Sequence, residues 1–134
     1  MSEARPQPLA GTHLVTSILQ IVTERKALDL AAFDVTSLPT LCDYYVICSG
    51  NAPTHVRAIG ESLVEQLKHA DHTRAAYTEG IGEGRWAVLD YVDVIVHVMT
   101  PQMRDYYGLE ELWRDGRQLT PADIPALDES QWRE

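Results

Sequence analysis

Three things are scarce in this chain of 134 residues, and each shortage narrows what the protein can be. No stretch approaches the roughly 18 consecutive apolar residues that a membrane-spanning helix needs, so the sequence predicts no bilayer span. Cysteine occurs only at Cys42 and Cys48. On one extended segment those two stand on the order of 20 Å apart, too far for a disulfide or a shared metal. The N-terminal "MSEARPQPLAGTH" lacks the basic-then-apolar pattern of an export signal. Free thiols without such a signal predict a cytoplasmic protein. Positive charge is the third shortage, with 11 Lys and Arg against 20 Asp and Glu and a net charge of −9.

Glu3, Glu24 and Asp29 balance Arg5, Arg25 and Lys26 over the first 29 residues, so the acidic excess lies in the remainder. Such a surface repels a phosphate backbone, and no basic stripe offsets it. The long-range field favours a basic protein partner or serves solubility alone.

The length fits one domain with a real core. An apolar fraction of 45% and a charged fraction of 23% are ordinary for a globular chain. Residues 1–12, with two prolines, read as a flexible tail. Residues 13–28 read as a helix with Thr12 as N-cap and Val15, Ile18, Leu19 and Val22 as its apolar stripe. A short strand follows at 32–36, ending before Pro39. "DYYVICSG" is a second strand that stops at Ser49-Gly50-Asn51. "APTHVRAIGESLVEQLKHA" is the clearest helix: Val56, Ile59, Leu63 and Leu67 share a face with Gly60, whose lack of a side chain points to close packing on a sheet. With the weak strand "RAAYTE" it completes a βαβ-like unit.

"GIGEG" reads as a turn. "RWAVLDY" and "VDVIVHVM" are too close for anything but a tight antiparallel hairpin. "TPQMRDYYGLEELWRDG" predicts one helix, with Thr100 as N-cap, Pro101 at the first position, an apolar face of Leu109, Leu112 and Trp113, and Gly116 as its close. Residues 117–134 read as an acidic tail, leaving 13–116 as the folded unit. The architecture expected is α+β, a mixed sheet of about five strands with flanking helices.

Few residues invite chemistry. His97 lies inside a buried-type strand with valines on either side, which suits a hydrogen-bonded core histidine better than a metal ligand. Asp90 and Asp93 bracket a hairpin turn, where aspartate caps backbone N–H groups. A two-metal site would instead set two carboxylates two residues apart on one strand face. "GIGEG" leads into a strand and lacks the spacing of a dinucleotide-binding turn. His69 and His72 sit at a solvated helix end, and Ser49 has no base arranged near it. Nothing depresses the pKa of either thiol. No catalytic set, metal site or cofactor is expected.

Trp86 differs. Alternation puts Trp86, Val88 and Asp90 on one strand face and Ala87, Leu89 and Tyr91 on the other. Trp86 is therefore either shielded by a helix or the aromatic anchor of a protein interface.

These segments together resemble the ribosomal silencing factor (Iojap-like) family. The resemblance runs from about residue 15 to 116 and is carried by "ALDLAAFDVTSL", "CDYYVICSGNAPTHVRAI", Glu79-Gly80 with Trp86, "LDYVDVIVHVM" and "RDYYGLEELW". It implies a nucleotidyltransferase-like topology without catalytic carboxylates, and a binding protein rather than an enzyme. The implied partner is the large ribosomal subunit, contacted through universal large-subunit ribosomal protein fourteen. Docking there would block association with the small subunit and repress translation under nutrient limitation. A homodimer is implied for the free protein, with Tyr106, Tyr107 and Trp113 as available aromatic surface.

Carried over by position, Glu79, Gly80, Trp86, Asp90 and Met99 would form the partner-binding sheet surface. Asp43, Tyr44, Tyr107 and Glu110 match recurrent positions that serve either binding or packing. Three departures stand out: Val92 where the family's hairpin turn usually has glycine, Cys42 where a hydroxyl residue is usual, and a segment beyond Gly116 outside the resemblance. Two other readings remain beside it. One is a nucleotidyltransferase-like enzyme using Asp90 and Asp93 with a divalent metal; the other is a homodimeric adaptor with a different target.

Overall fold

A computed structural model of the chain describes residues 11–120, 122–124 and 132. Residues 1–10 of the tail expected at 1–12, residue 121, and the segments 125–131 and 133–134 lie outside these. Helix α1 spans Gly11–Glu24 and buries Leu14, Val15, Ile18, Leu19, Ile21 and Val22. It begins ahead of Thr12, which is inside the helix rather than its cap; the Thr12 carbonyl accepts the Thr16 hydroxyl at 2.9 Å. Strand β1 (Leu28–Asp34) starts earlier than the sequence suggested. Apolar Leu30, Ala31, Ala32 and Phe33 lack clear alternation because both sheet faces there are covered.

Strand β2 (Tyr44–Ser49) leads to helix α2 (Pro53–Ala70), which has proline in its first turn and buries Val56, Ile59, Gly60, Leu63 and Leu67. Strands β3 (Tyr77–Glu79), β4 (Trp86–Asp90) and β5 (Val94–Met99) follow. Gly60 packs under Ile81, whose side chain a Cβ there would meet at 3.2 Å, so a loop residue and not the sheet explains that glycine.

The sheet has six strands in the order β3-β4-β5-β2-β1-β6, where β6 is Arg117–Gln118. Among the described strands, β2 and β5 pair in parallel and the other pairs are antiparallel. The β4–β5 hairpin forms as the short spacing required. The βαβ-like unit is altered, because β4 and β5 slot between β2 and β3 and make β5 the parallel partner of β2. Helices α1 and α2 cover one face, where Ala32, Val46, Cys48, Ala87, Leu89, Val94, Val96 and Val98 join the main core.

The single helix expected over 101–116 is broken. Helix α3 (Pro101–Tyr107) ends at Gly108, whose φ of 55° is left-handed, and a 3-10 turn spans Leu109–Trp113. Glycine adopts that conformation without a Cβ clash, so a helical period that runs through it still breaks there. Thr100 precedes the helix but makes no side-chain cap bond. Of the expected apolar face, Trp113 is buried whereas Leu112 is 71% exposed.

Beyond Gly116, several of the described residues lie against the fold. Strand β6 adds to the β1 edge, Leu119 and Ile124 join the main core, and Trp132 bridges to Leu30. Those apolar residues follow neither a helical nor a strand period, which is why the segment read as a tail.

The β4–β5 turn resolves the Val92 question. Val92 has φ of 74°, and the Asp93 N–H donates to the Tyr91 carbonyl at 2.9 Å, which makes a γ-turn of the positive-φ kind. The Val92 N–H donates to Asp90 Oδ1 at 2.8 Å. The aspartate cap is present, but a β-branched residue carries roughly 1–2 kcal/mol of strain at this φ.

Candidate protein-binding face

The face of the sheet away from α1 and α2 is built by register. Trp86 lies opposite Met99, Val88 opposite His97 and Asp90 opposite Ile95. Tyr45 and Ile47 continue the Ile95 and His97 rows into β2, and Phe33 and Ala31 continue them into β1. The alternation assigned to "RWAVLDY" therefore holds, since Ala87, Leu89 and Tyr91 all enter the opposite core.

Aromatic rings tile this face. Tyr45 stacks on Trp113 with ring centres 4.2 Å apart, and Trp113 also meets Phe33 and His97, each at 5.5 Å. Trp86 lies 5.9 Å from His97 and 4.8 Å from Tyr107. The 3-10 turn roofs the middle of the sheet through Trp113 and Leu109. Trp86, Val88, Asp90, His97 and Tyr45 remain half-buried, and Tyr107 is 49% exposed. Half-open aromatic groups on a rigid sheet are well suited to protein contact, because they bring large area with little ordering cost.

His97 sets the aim of Trp86. The indole N–H donates to His97 Nδ1 at 2.9 Å, so that nitrogen carries no proton and the imidazole is neutral. Burial pushes His97 down to about 4, well below its ordinary value. His97 is thus the hydrogen-bonded histidine its neighbours suggested, bonded to the tryptophan that heads the face.

Arg104 fixes the roof. It is 2% exposed; its Nε donates to Glu110 Oε1 at 3.0 Å and one terminal nitrogen donates to Ser49 Oγ at 3.1 Å. The pair ties both sides of the Gly108 break to the end of β2, with Tyr107 between. The Glu110 carboxylate neutralises a buried guanidinium.

The expected site residues divide. Trp86 and Asp90 lie on the face and Tyr107 on its rim. Glu79 is exposed and accepts the Tyr77 hydroxyl at 2.7 Å. Gly80, with φ of 79°, brings its loop against the Trp86 carbonyl, where any Cβ would collide. Glu79, Gly80, Glu83, Arg85, Trp86 and Met103 line a shallow hollow of about 380 Å³. Met99 is fully buried and supports the face from below. Asp43 sits exposed at the far end, and Tyr44 packs toward the helix side, opposite Trp86.

Sequence reasoning missed Tyr45 as a member of the plate and Trp113 as its roof. Alternation along "DYYVICSG" separates Tyr44 from Tyr45, but the β2–β5 register is needed to know which one faces Trp86.

Among the described residues, no group of three or more His, Cys, Asp and Glu is placed to hold a metal ion. Asp90 spends an oxygen on the turn. Burial pushes the Cys48 thiol up to about 12 and raises that of Cys42, whose Sγ donates to the Tyr44 carbonyl at 3.2 Å. Neither is poised as a nucleophile. No described helix is long and apolar enough to cross a membrane.

Fold and face together define a small α+β protein with a six-stranded mixed sheet, helices on one side and a half-open aromatic face on the other. The family model for "Ribosomal silencing factor during starvation" matches residues 8–134. Ribosomal silencing factor RsfS of Bacillus subtilis is 36% identical over 103 residues, covering 74% of this chain and 86% of that protein. The mouse protein named Mitochondrial assembly of ribosomal large subunit protein 1 is 29% identical over 118 residues, covering 83% of this chain and 52% of its own length. A solved Chromobacterium violaceum structure superposes with a TM-score of 0.75 at 29% identity, covering 79% of this chain and 88% of that one. The chain belongs to the ribosomal silencing factor family. Residues beyond Gly116, outside the resemblance read from the sequence, fall within the family match.

Proposed function

We propose that this protein binds the large ribosomal subunit through the Trp86 face, contacts universal large-subunit ribosomal protein fourteen, and sterically blocks association with the small subunit. Translation then falls under nutrient limitation, and no catalysis is involved. The observation that carries this reading is the half-open plate of Trp86, His97, Tyr45 and Tyr107 in a family of ribosomal silencing factors. Charge supports a protein target. A net −9 chain is repelled by ribosomal RNA and drawn to the basic ribosomal proteins set among it. The relatives' names support the same direction: one is a silencing factor, another assembles a ribosomal large subunit.

The working location is the cytoplasm, and the free protein is a homodimer using aromatic surface near Tyr106, which is 81% exposed. Purified protein sedimented with isolated large and small subunits, separately and at physiological salt, tests the reading. Recovery with the large subunit alone is expected; absence from both would overturn it. Sedimentation velocity tests the dimer, and a concentration-independent monomer mass would remove it.

A further inference from the structure

We propose that the end of the sheet carrying Leu41 and Val92 is a second apolar contact of the same partner-binding surface, seated on an apolar spot of a basic protein. This rests on the reading above and extends its footprint from the Trp86 end of the face to the opposite end.

Leu41, on the loop between β1 and β2, is 90% exposed, and Val92, at the β4–β5 turn, is 65% exposed. The two turns are adjacent, because the Asp93 carbonyl accepts the N–H groups of Asp43 at 2.9 Å and Tyr44 at 3.0 Å. Both are held internally. The Thr40 hydroxyl donates to the Cys42 carbonyl at 2.8 Å, and the Tyr91 N–H donates to the Val94 carbonyl at 2.9 Å. Two aliphatic side chains are thus presented to solvent on fixed backbone, which lowers the ordering cost of contact. Val92 is the one β-branched residue at positive φ among the described residues, so the fold tolerates strain at a side chain that stays mostly in solvent.

Charge and continuity select the occupant. The register places Asp34 at the end of β1, Asp43 before β2, Asp90 at the end of β4 and Asp93 before β5, all at this end of the sheet. Thr36 holds the Asp34 carboxyl below its usual range through its hydroxyl and N–H. Arg117, whose charge also lowers Asp34, pairs with Asp123 at 3.3 Å. An aliphatic pair rimmed by carboxylates fits a basic protein surface and repels a phosphate backbone. Asp90 belongs both to this rim and to the Trp86–Val88–Asp90 row, so one partner can span the two.

The test is Val92→Gly and Leu41→Ser in the full chain, with affinity for purified large subunits and the urea midpoint measured together. Val92→Gly is expected to raise the midpoint, because glycine relaxes the turn, yet to weaken binding about tenfold, near 1.4 kcal/mol. Leu41→Ser is expected to weaken binding similarly with the midpoint unchanged, which keeps the test readable if the turn rearranges in the glycine variant. Unchanged affinity in both variants, with Trp86→Ala weakened, would overturn the second contact while leaving the Trp86 reading intact. A wild-type protein that bound no large subunit would overturn both. Loss of self-association in the two variants, with subunit binding intact, would assign the tip to a second copy of the chain and likewise overturn the proposal.

Discussion

His97 makes the stability of this fold depend on mild acid. Its imidazole is neutral because Trp86 donates to Nδ1, and burial pushes it to about 4 from an ordinary 6.5. Below the unfolded value, the unfolded chain takes up a proton that the folded chain refuses, so stability is lost as pH falls. The loss begins near 6.5 and is complete near 4. At about 1.4 kcal/mol per unit, the full loss is roughly 3 kcal/mol, of which about 2 has accrued by about pH 5. Asp34 and Asp123 are held below 3.8, so their contributions fade in a lower window.

The assay is urea unfolding at about pH 7 and about pH 5 for wild type and His97→Gln, which keeps an acceptor for the indole but does not titrate. The other histidines are common to both proteins and cancel. Wild type should lose about 2 kcal/mol more than the variant between the two pH values. Equal losses would show that His97 is not a neutral acceptor shielded from solvent.

Three further outcomes follow from the packing. Gly80→Ala should lower the urea midpoint and disturb Trp86 fluorescence, since a Cβ there meets the Trp86 carbonyl on a backbone with φ of 79°. Glu110→Gln leaves a buried guanidinium without its counter-charge and should cost about 3 kcal/mol in urea unfolding; a loss under about 0.5 kcal/mol would mean that the pair does not anchor the roof. Leu63→Ala, fully buried between α2 and the sheet, should cost 2–5 kcal/mol, roughly, by the same assay.

What was legible in the sequence follows from locality. Helix α2, the β4–β5 hairpin and the two faces of "RWAVLDY" depend on short-range period and spacing, and each was readable. The Asp90 cap was readable for the same reason. The plate was not, because Tyr45, His97 and Trp113 meet only through the β2–β5 register and the break at Gly108. The segment after Gly116 escaped because Leu119 and Ile124 are buried without periodicity, by adding to an edge already present. Met99 and Glu110 matched recurrent positions, yet their places, one fully buried and one bound to Arg104, come from tertiary packing.

The proposal that the Trp86 face keeps ribosomal subunits apart is tested by subunit joining followed by light scattering, with isolated large and small subunits mixed in the presence of wild-type protein or Trp86→Ala. Wild type should suppress joining, and the variant, checked for an unchanged fold, should restore it as binding weakens by about 2 kcal/mol. Equal suppression by both proteins, or joining unaffected by wild type at saturating concentration, would contradict the claim.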